Sequence, residues 1–216
     1  MAWRRVEASP VRRNELLFTL ALSILVTSCA AAPPTDGAAP PPSSGPEGPT
    51  ASGAGPEQEP TPPPVWSAYS PKDGSFSAQF PGTPEETVSP ANGPAGKVDM
   101  HQFAVERQSG SAYMASYTDF PNAATSPDDV RQRLVAVRDV AVKSAQATLV
   151  NDREITVNGI LGREFTASMA IPEVVTTHTR VFMKGGRLFQ FMALVPNTLS
   201  EEADVRRFLD SIALTP

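Results

Sequence analysis

The chain has 216 residues, a formal net charge of −5 at pH 7, 23 prolines and a single cysteine. With no second cysteine, an internal disulfide is excluded. The acidic balance and the lack of any basic stripe argue against nucleic acid as a partner.

Residues 1–28 have the three-part layout of a secretory signal. Four arginines lie within the first 13 residues, an apolar segment covers residues 16–26, and the small residues Thr27 and Ser28 precede Cys29. An apolar segment of this length is too short to span a membrane, which takes about 20 residues. We therefore predict an export signal and not a transmembrane anchor.

The tetrapeptide Val26-Thr27-Ser28-Cys29 resembles the lipobox of bacterial lipoproteins. The resemblance implies that the Cys29 thiol is lipidated and that the signal is cleaved before it, which would anchor the protein to the cell envelope. By the same resemblance, Ala30 favours the outer membrane, with the protein facing the periplasm. A signal that is not lipidated, with an incidental cysteine, is the alternative.

Residues 29–64 are predicted to form a disordered tether. Twelve of the prolines fall between Ala30 and Pro64, in a stretch without Leu, Ile, Val, Phe, Tyr or Trp. Such a composition cannot bury enough apolar surface to offset the entropy lost on ordering. We expect a spacer that holds the following domain away from the membrane.

Residues 65–216 are predicted to form one domain, with strands, then a helix, then strands and a closing helix. The first helix is indicated by Ser126 as N-cap and Pro127 at the first helical position. The closing helix is expected over residues 200–210, with Ala203, Phe208 and Leu209 on its apolar side.

A hairpin at Gly185-Gly186 determines the expected architecture. A two-residue turn places Phe182 opposite Phe189 and Met183 opposite Leu188, so both faces of the sheet are apolar. Both faces must then be covered, and the sequence offers two amphipathic helices. The predicted fold is α+β, a three-layer α/β/α sandwich with a mainly antiparallel sheet and a helix on each face.

Five segments of this domain together resemble a known family. They are, in one-letter code, YSPKDGSFSAQFPGTP (69–84), YMASYTDFP (113–121), GILGREF (159–165), GRLFQFM (186–192) and FLDSIAL (208–214). Their order and spacing are similar to those of bacterial exported domains of unknown function with the PsbP-like fold. The superfamily contains accessory and binding proteins, which implies a domain that is not an enzyme.

The sequence contains none of the common hydrolase or phosphate-loop motifs, and it has only two histidines. Asp99 and His101 share one face of a predicted strand and are weak metal candidates, because no third ligand is identifiable. A surface aspartate with a half-buried histidine is the simpler interpretation. No cofactor is expected.

The segment Gly162-Arg163-Glu164-Phe165 admits two readings. Either Arg163 and Glu164 contact a partner, or this is a strand with a cross-strand ion pair and Phe165 in the core, which we favour. Residues 81–97 are expected to form a long loop that includes Asn92 and borders a partner surface.

The expected function is therefore that of a non-catalytic, membrane-anchored envelope lipoprotein whose domain binds a partner, most simply a protein. A small-ligand or metal-binding lipoprotein is the second hypothesis, and a hydrolase of unknown type is the third.

Overall fold

The structure is a computed structural model that describes residues 64–93, 96–170 and 174–215. Its elements are, in chain order, β1 (Ser67–Tyr69), β2 (Phe76–Phe80), β3 (Glu85–Gly93), β4 (Gly96–Glu106), β5 (Ala112–Asp119), α1 (Pro127–Ser144), β6 (Thr148–Val157), β7 (Ile160–Met169), β8 (Val175–Lys184), β9 (Arg187–Pro196), α2 (Glu202–Asp210) and β10 (Ala213–Leu214). The predictions on residues 1–63, including Cys29, lie outside the described residues.

A seven-stranded antiparallel sheet is the central layer, in the order β3-β4-β5-β9-β8-β7-β6. The β8–β9 hairpin has the predicted register, with Phe182 opposite Phe189 and Met183 opposite Leu188. Because a β-strand is pleated, successive side chains of the hairpin project to alternate faces, and each face carries its own apolar cluster.

Each face is covered by a different set of elements. Helix α1 packs on β7 and β8, where Leu134 meets Val181 and Met183. Helix α2 covers part of the opposite face, together with a small sheet in the order β1-β2-β10. The three-layer architecture is confirmed. The small second sheet was not anticipated, because β10 is only two residues long and its pairing with β2 joins distant parts of the chain.

The two helices follow from local sequence. Ser126 caps α1, since its side chain accepts a hydrogen bond from the Asp129 backbone N–H, and Pro127 is the first helical residue. In α2, Val205, Phe208 and Leu209 are buried at helical spacing. Ala203, which we had placed on the apolar side, is exposed.

The prediction of a long loop over residues 81–97 is wrong. Residues 85–93 form the edge strand β3, which pairs with β4 along its whole length. The prediction gave too much weight to proline and glycine. Pro90 is tolerated there because one side of an edge strand needs no backbone donor. Glu85 and Glu86, also expected in a loop, begin this strand.

No helix among the described residues is both long enough and apolar enough to cross a membrane.

Candidate functional site

A cleft of about 690 Å³ opens between α2 and the β7, β8 and β9 strands. Its floor consists of polar side chains that project from the sheet on the same face as Phe182. Thr166 lies opposite His178, and Glu164 lies opposite Arg180 in the β7–β8 register. Val205 and Leu209 of α2 provide an apolar wall. The polar residues thus occupy the part of the sheet face that α2 and the small sheet leave open.

Arg180 fixes the C-terminal end of α2 to the sheet. Its Nε donates to Glu164 Oε2 at 2.5 Å, one terminal nitrogen donates to the Leu209 carbonyl at 2.6 Å, and the other donates to Asp210 at 2.8 Å. Phe191 lies opposite Arg180 in the β8–β9 register, a position that would allow the arginine to pack on the ring. Its three hydrogen bonds instead link β8 to α2.

A second arginine holds the N-terminal end of α2. Arg107 contacts Glu201 at 3.1 Å and Asp204 at 2.8 Å, and Tyr113 donates a hydrogen bond to Glu201 at 3.1 Å. Burial and the Glu201 carboxylate raise the pKa of Tyr113 well above its ordinary value, so it remains a neutral donor. With both ends of α2 fixed, this wall of the cleft has a defined position.

Glu164 is the most strongly held acid in the cleft. Arg180 bonds one of its carboxylate oxygens and Arg153 bonds the other. Burial raises the pKa of Glu164, but the bonds from the two arginines outweigh burial, and the pKa lies below its usual value. Glu164 is therefore ionised at neutral pH, with both oxygens already engaged.

His178 is the titratable base of the cleft. Burial lowers its pKa, and the charges of Glu164 and Glu202 act in the opposite direction without cancelling this effect. The ring is therefore neutral at pH 7. Its Nδ1 lies 3.5 Å from Thr166 Oγ1, which exceeds the 2.6–3.2 Å of an activated nucleophile and its base. Thr166 and the His178 ring are thus joined by a long hydrogen bond on the floor of the cleft.

The structure separates the two residues of the Gly-Arg-Glu-Phe segment. Glu164 faces the cleft, whereas Arg163 projects to the other face and pairs with Asp152, which Arg138 of α1 also contacts. Phe165 is buried. The strand with cross-strand ion pairs that we favoured is confirmed. A role for Arg163 and Glu164 in partner binding stays a prediction.

The weak metal candidates lie in β4, outside the cleft. The His101 ring stacks on Tyr117 with centroids 4.6 Å apart, and its Nδ1 lies 3.8 Å from Glu86. Asp99 is exposed and opposite Pro90. Within residues 64–93, 96–170 and 174–215, no three His, Cys, Asp or Glu side chains are grouped to hold a metal ion.

Asn92, the remaining predicted contact residue, lies in β3 and pairs through its backbone with Lys97. It therefore belongs to a strand and not to the expected loop. The cleft brings together Glu164, His178 and Arg180, and Arg163 does not line it.

Sequence reasoning missed Thr166, Thr176 and Asn197 in the cleft lining. A usable signal was present, because Thr166, His178 and Arg180 interrupt a sheet face that is otherwise rich in phenylalanine. Polar residues on an apolar sheet face are typical of a part of that face that no helix covers.

Comparison with known proteins identifies the fold. The solution structure of cyanobacterial PsbP (CyanoP) from Synechocystis sp. PCC 6803 matches with a TM-score of 0.50 and 11% sequence identity, over 69% of this chain and 92% of that one. The domain has a PsbP-like fold.

Two other solved structures are more distant from this PsbP-like domain. A protein from Bacteroides thetaiotaomicron matches with a TM-score of 0.40 and 15% identity, over 69% of this chain and 48% of that one. The protein of unknown function PA94 from Pseudomonas aeruginosa matches with a TM-score of 0.41 and 11% identity, over 70% of this chain and 98% of that one. No family model and no curated protein matches the sequence.

Proposed function

We propose that this protein is a lipid-anchored lipoprotein of the bacterial cell envelope whose PsbP-like domain binds a partner protein without catalysing a reaction. The observation that carries the binding role is the cleft beside α2, which is about 690 Å³ in volume and bordered by polar and apolar side chains. A concave site with an apolar wall and a few converging polar groups is the usual form of a small-ligand site, and anchor side chains of partner proteins fill pockets of this kind.

The anchoring role is supported by the sequence before the domain. Residues 1–28 would be the signal that is removed, Cys29 would carry the lipid, and residues 29–64 would form the tether to the domain of residues 65–216. One acyl chain gives only marginal membrane binding, whereas the several chains of a lipoprotein cysteine hold stably. With Ala30 after the cysteine, the proposed location is the outer membrane, facing the periplasm.

The absence of catalysis is supported by the cleft's chemistry. The hydroxyl near His178 is that of Thr166, 3.5 Å from Nδ1, and both carboxylate oxygens of Glu164 are engaged by arginines. A general acid or base must reach the proton that it transfers, and a nucleophile must be paired with its base. The cleft instead offers fixed polar groups beside an apolar wall.

Two measurements on the full chain in cells test the proposal. Labelling with radioactive palmitate, followed by membrane fractionation, should show a labelled membrane-bound protein, and the Cys29→Ser variant should be unlabelled and soluble. Chemical crosslinking with mass spectrometry should then give one dominant protein partner, captured in the anchored form alone. Equal labelling of the Cys29→Ser variant would disprove the anchor, and a lack of any reproducible protein partner would disprove the binding role.

A further inference from the structure

We propose that the cleft beside α2 receives a lysine side chain of the partner protein. This inference rests on the proposed function, since it names the group of the partner that enters the cleft. Three properties of the cleft carry it: the sign of its charge, the kind of hydrogen-bonding groups that it leaves free, and the apolar wall beside them.

The charge of the cleft favours a cation. Four carboxylates border it, against three arginines. Arg180 is already engaged, because each of its three nitrogens donates a hydrogen bond, to Glu164, Leu209 and Asp210. Glu202, by contrast, is exposed and only loosely paired with Arg206 at 3.6 Å. A carboxylate at the rim is thus free to meet an incoming positive charge.

His178 can offer a hydrogen-bond acceptor on the floor of the cleft. In the tautomer whose Nδ1–H donates to Thr166, the neutral ring of His178 presents Nε2 as an acceptor. No other described residue forms a hydrogen bond with this ring. Because Glu164 and Glu202 both act on the ring through their charge, an ammonium beside it would lie in the field of two carboxylates.

The wall fits an aliphatic stem. Val195 of β9 lies beside Val205 and Leu209 of α2 along the cleft. A lysine side chain packs its methylenes on apolar surface and keeps its ammonium among polar groups. Arginine fits the floor less well, because its planar fork binds both oxygens of one carboxylate, and those of Glu164, the carboxylate that projects from the sheet, are taken, whereas Glu202 lies at the rim. The expected ligand is therefore lysine, which binds as a compact point charge.

Binding of two blocked tripeptides to the ¹⁵N-labelled full chain in detergent tests this assignment. Ala-Lys-Ala carries the ammonium, and Ala-norleucine-Ala has a similar stem without the charge. Amide chemical shifts of Thr166, His178 and Val195 should move with the lysine peptide, with a dissociation constant at least about fivefold lower than for the norleucine peptide. Glu202→Gln should weaken the lysine peptide by about two- to fivefold, as expected for loss of one exposed ion pair.

Arg206→Gln is the matched control, since it changes the exposed partner of Glu202 one turn along the same helix. It should leave binding of the lysine peptide unchanged or tighten it. The proposal is overturned if neither peptide changes the amide chemical shifts of the cleft residues, or if both peptides bind with equal affinity. It is also overturned if Glu202→Gln and Arg206→Gln weaken binding of the lysine peptide to the same extent. Tighter binding of 1,5-diaminopentane than of the peptide would also overturn it, in favour of a small free amine.

This test can fail while the proposed function stands. Crosslinking of a protein partner in cells does not depend on which of its groups enters the cleft, so a partner captured without lysine binding would overturn the lysine assignment alone. A lack of any reproducible partner on crosslinking would remove the binding role itself.

Discussion

Gly162 lies where the core leaves no room for a side chain, and the Gly162→Ala variant tests that packing. A methyl group at this position would lie 2.5 Å from Phe182 Cε1 and closer still to Cδ1, and 2.8 Å from the Val181 carbonyl oxygen. Phe182 is completely buried and contacts Phe191 edge to face, with ring centroids 6.1 Å apart. Neither the ring nor the paired backbone of β8 can move without disturbing its neighbours.

The expected cost of Gly162→Ala is about 2–3 kcal/mol, the upper part of the range for overpacking a well-packed core. For a domain of this size, about 3 °C of melting temperature is lost per kcal/mol, so the midpoint should fall by about 6–9 °C. Urea unfolding followed by circular dichroism gives the free energy of unfolding, and a thermal scan gives the midpoint.

The Phe182→Leu substitution provides the control, because it removes the ring that the new methyl group would meet. The double variant should be less destabilised than the sum of the single variants, with a coupling energy of about 1 kcal/mol or more. A loss below about 0.5 kcal/mol for Gly162→Ala, or strict additivity in the double variant, would refute the packing argument.

Three further predictions concern charged and titratable groups. Arg180→Gln should lower the free energy of unfolding by about 1.5–3 kcal/mol, because it breaks the charged hydrogen bonds that link β8 to α2. Hydrogen exchange of the α2 amides should become faster before that of the β9 amides. Unchanged protection of the α2 amides would contradict the role of Arg180 in holding α2. Burial raises the pKa of Asp152, but its two arginine partners outweigh burial and hold the pKa below the usual value. The ionised carboxylate therefore stabilises the folded state above about pH 4, and this contribution is lost as the pH falls through the lowered pKa. In urea unfolding, Asp152→Asn should therefore destabilise at pH 7 and become progressively harmless towards pH 2, and an equal cost at both pH values would count against the ion pair. Burial lowers the pKa of His178, so an NMR titration followed by the chemical shifts of its ring protons should have a midpoint below about pH 6.5. A midpoint above this pH would contradict a neutral His178 in the cleft.

The layers of the fold were predictable because they follow from local patterns. The Gly185-Gly186 turn set the register of the β8–β9 hairpin, and the alternation of apolar residues then required a cover on both faces. The α1 boundary followed from Ser126 and Pro127, whose preferences are local to the helix terminus.

The elements that sequence reasoning missed depend on distant contacts. Strand β3 is stabilised by its ladder with β4, which a local reading of Pro90 and the nearby glycines does not register. The pairing of β10 with β2 likewise joins residues more than 130 positions apart. Local propensity carries no information about such pairings.

The cleft could be foreseen only in part. His178 and Arg180 are two residues apart on a strand and therefore share one sheet face. Two of the partners of Arg180 are supplied by α2, however, and the sequence pattern does not fix the position of α2. Glu164 and Arg163 are adjacent in sequence and have different roles, because strand side chains alternate between faces. The structure therefore assigns different faces and partners to two residues that belong to one sequence motif.

The most direct test of the account is photo-crosslinking in cells from the cleft itself. A photoreactive amino acid at position 197, on the cleft rim, is compared with one at position 132, on the exposed side of α1. The account predicts one dominant protein captured from position 197 and not from position 132, with capture reduced by Glu202→Gln and lost in Cys29→Ser. Capture of the same proteins from both positions, or of none from position 197, would contradict a lipid-anchored domain that binds its partner through this cleft.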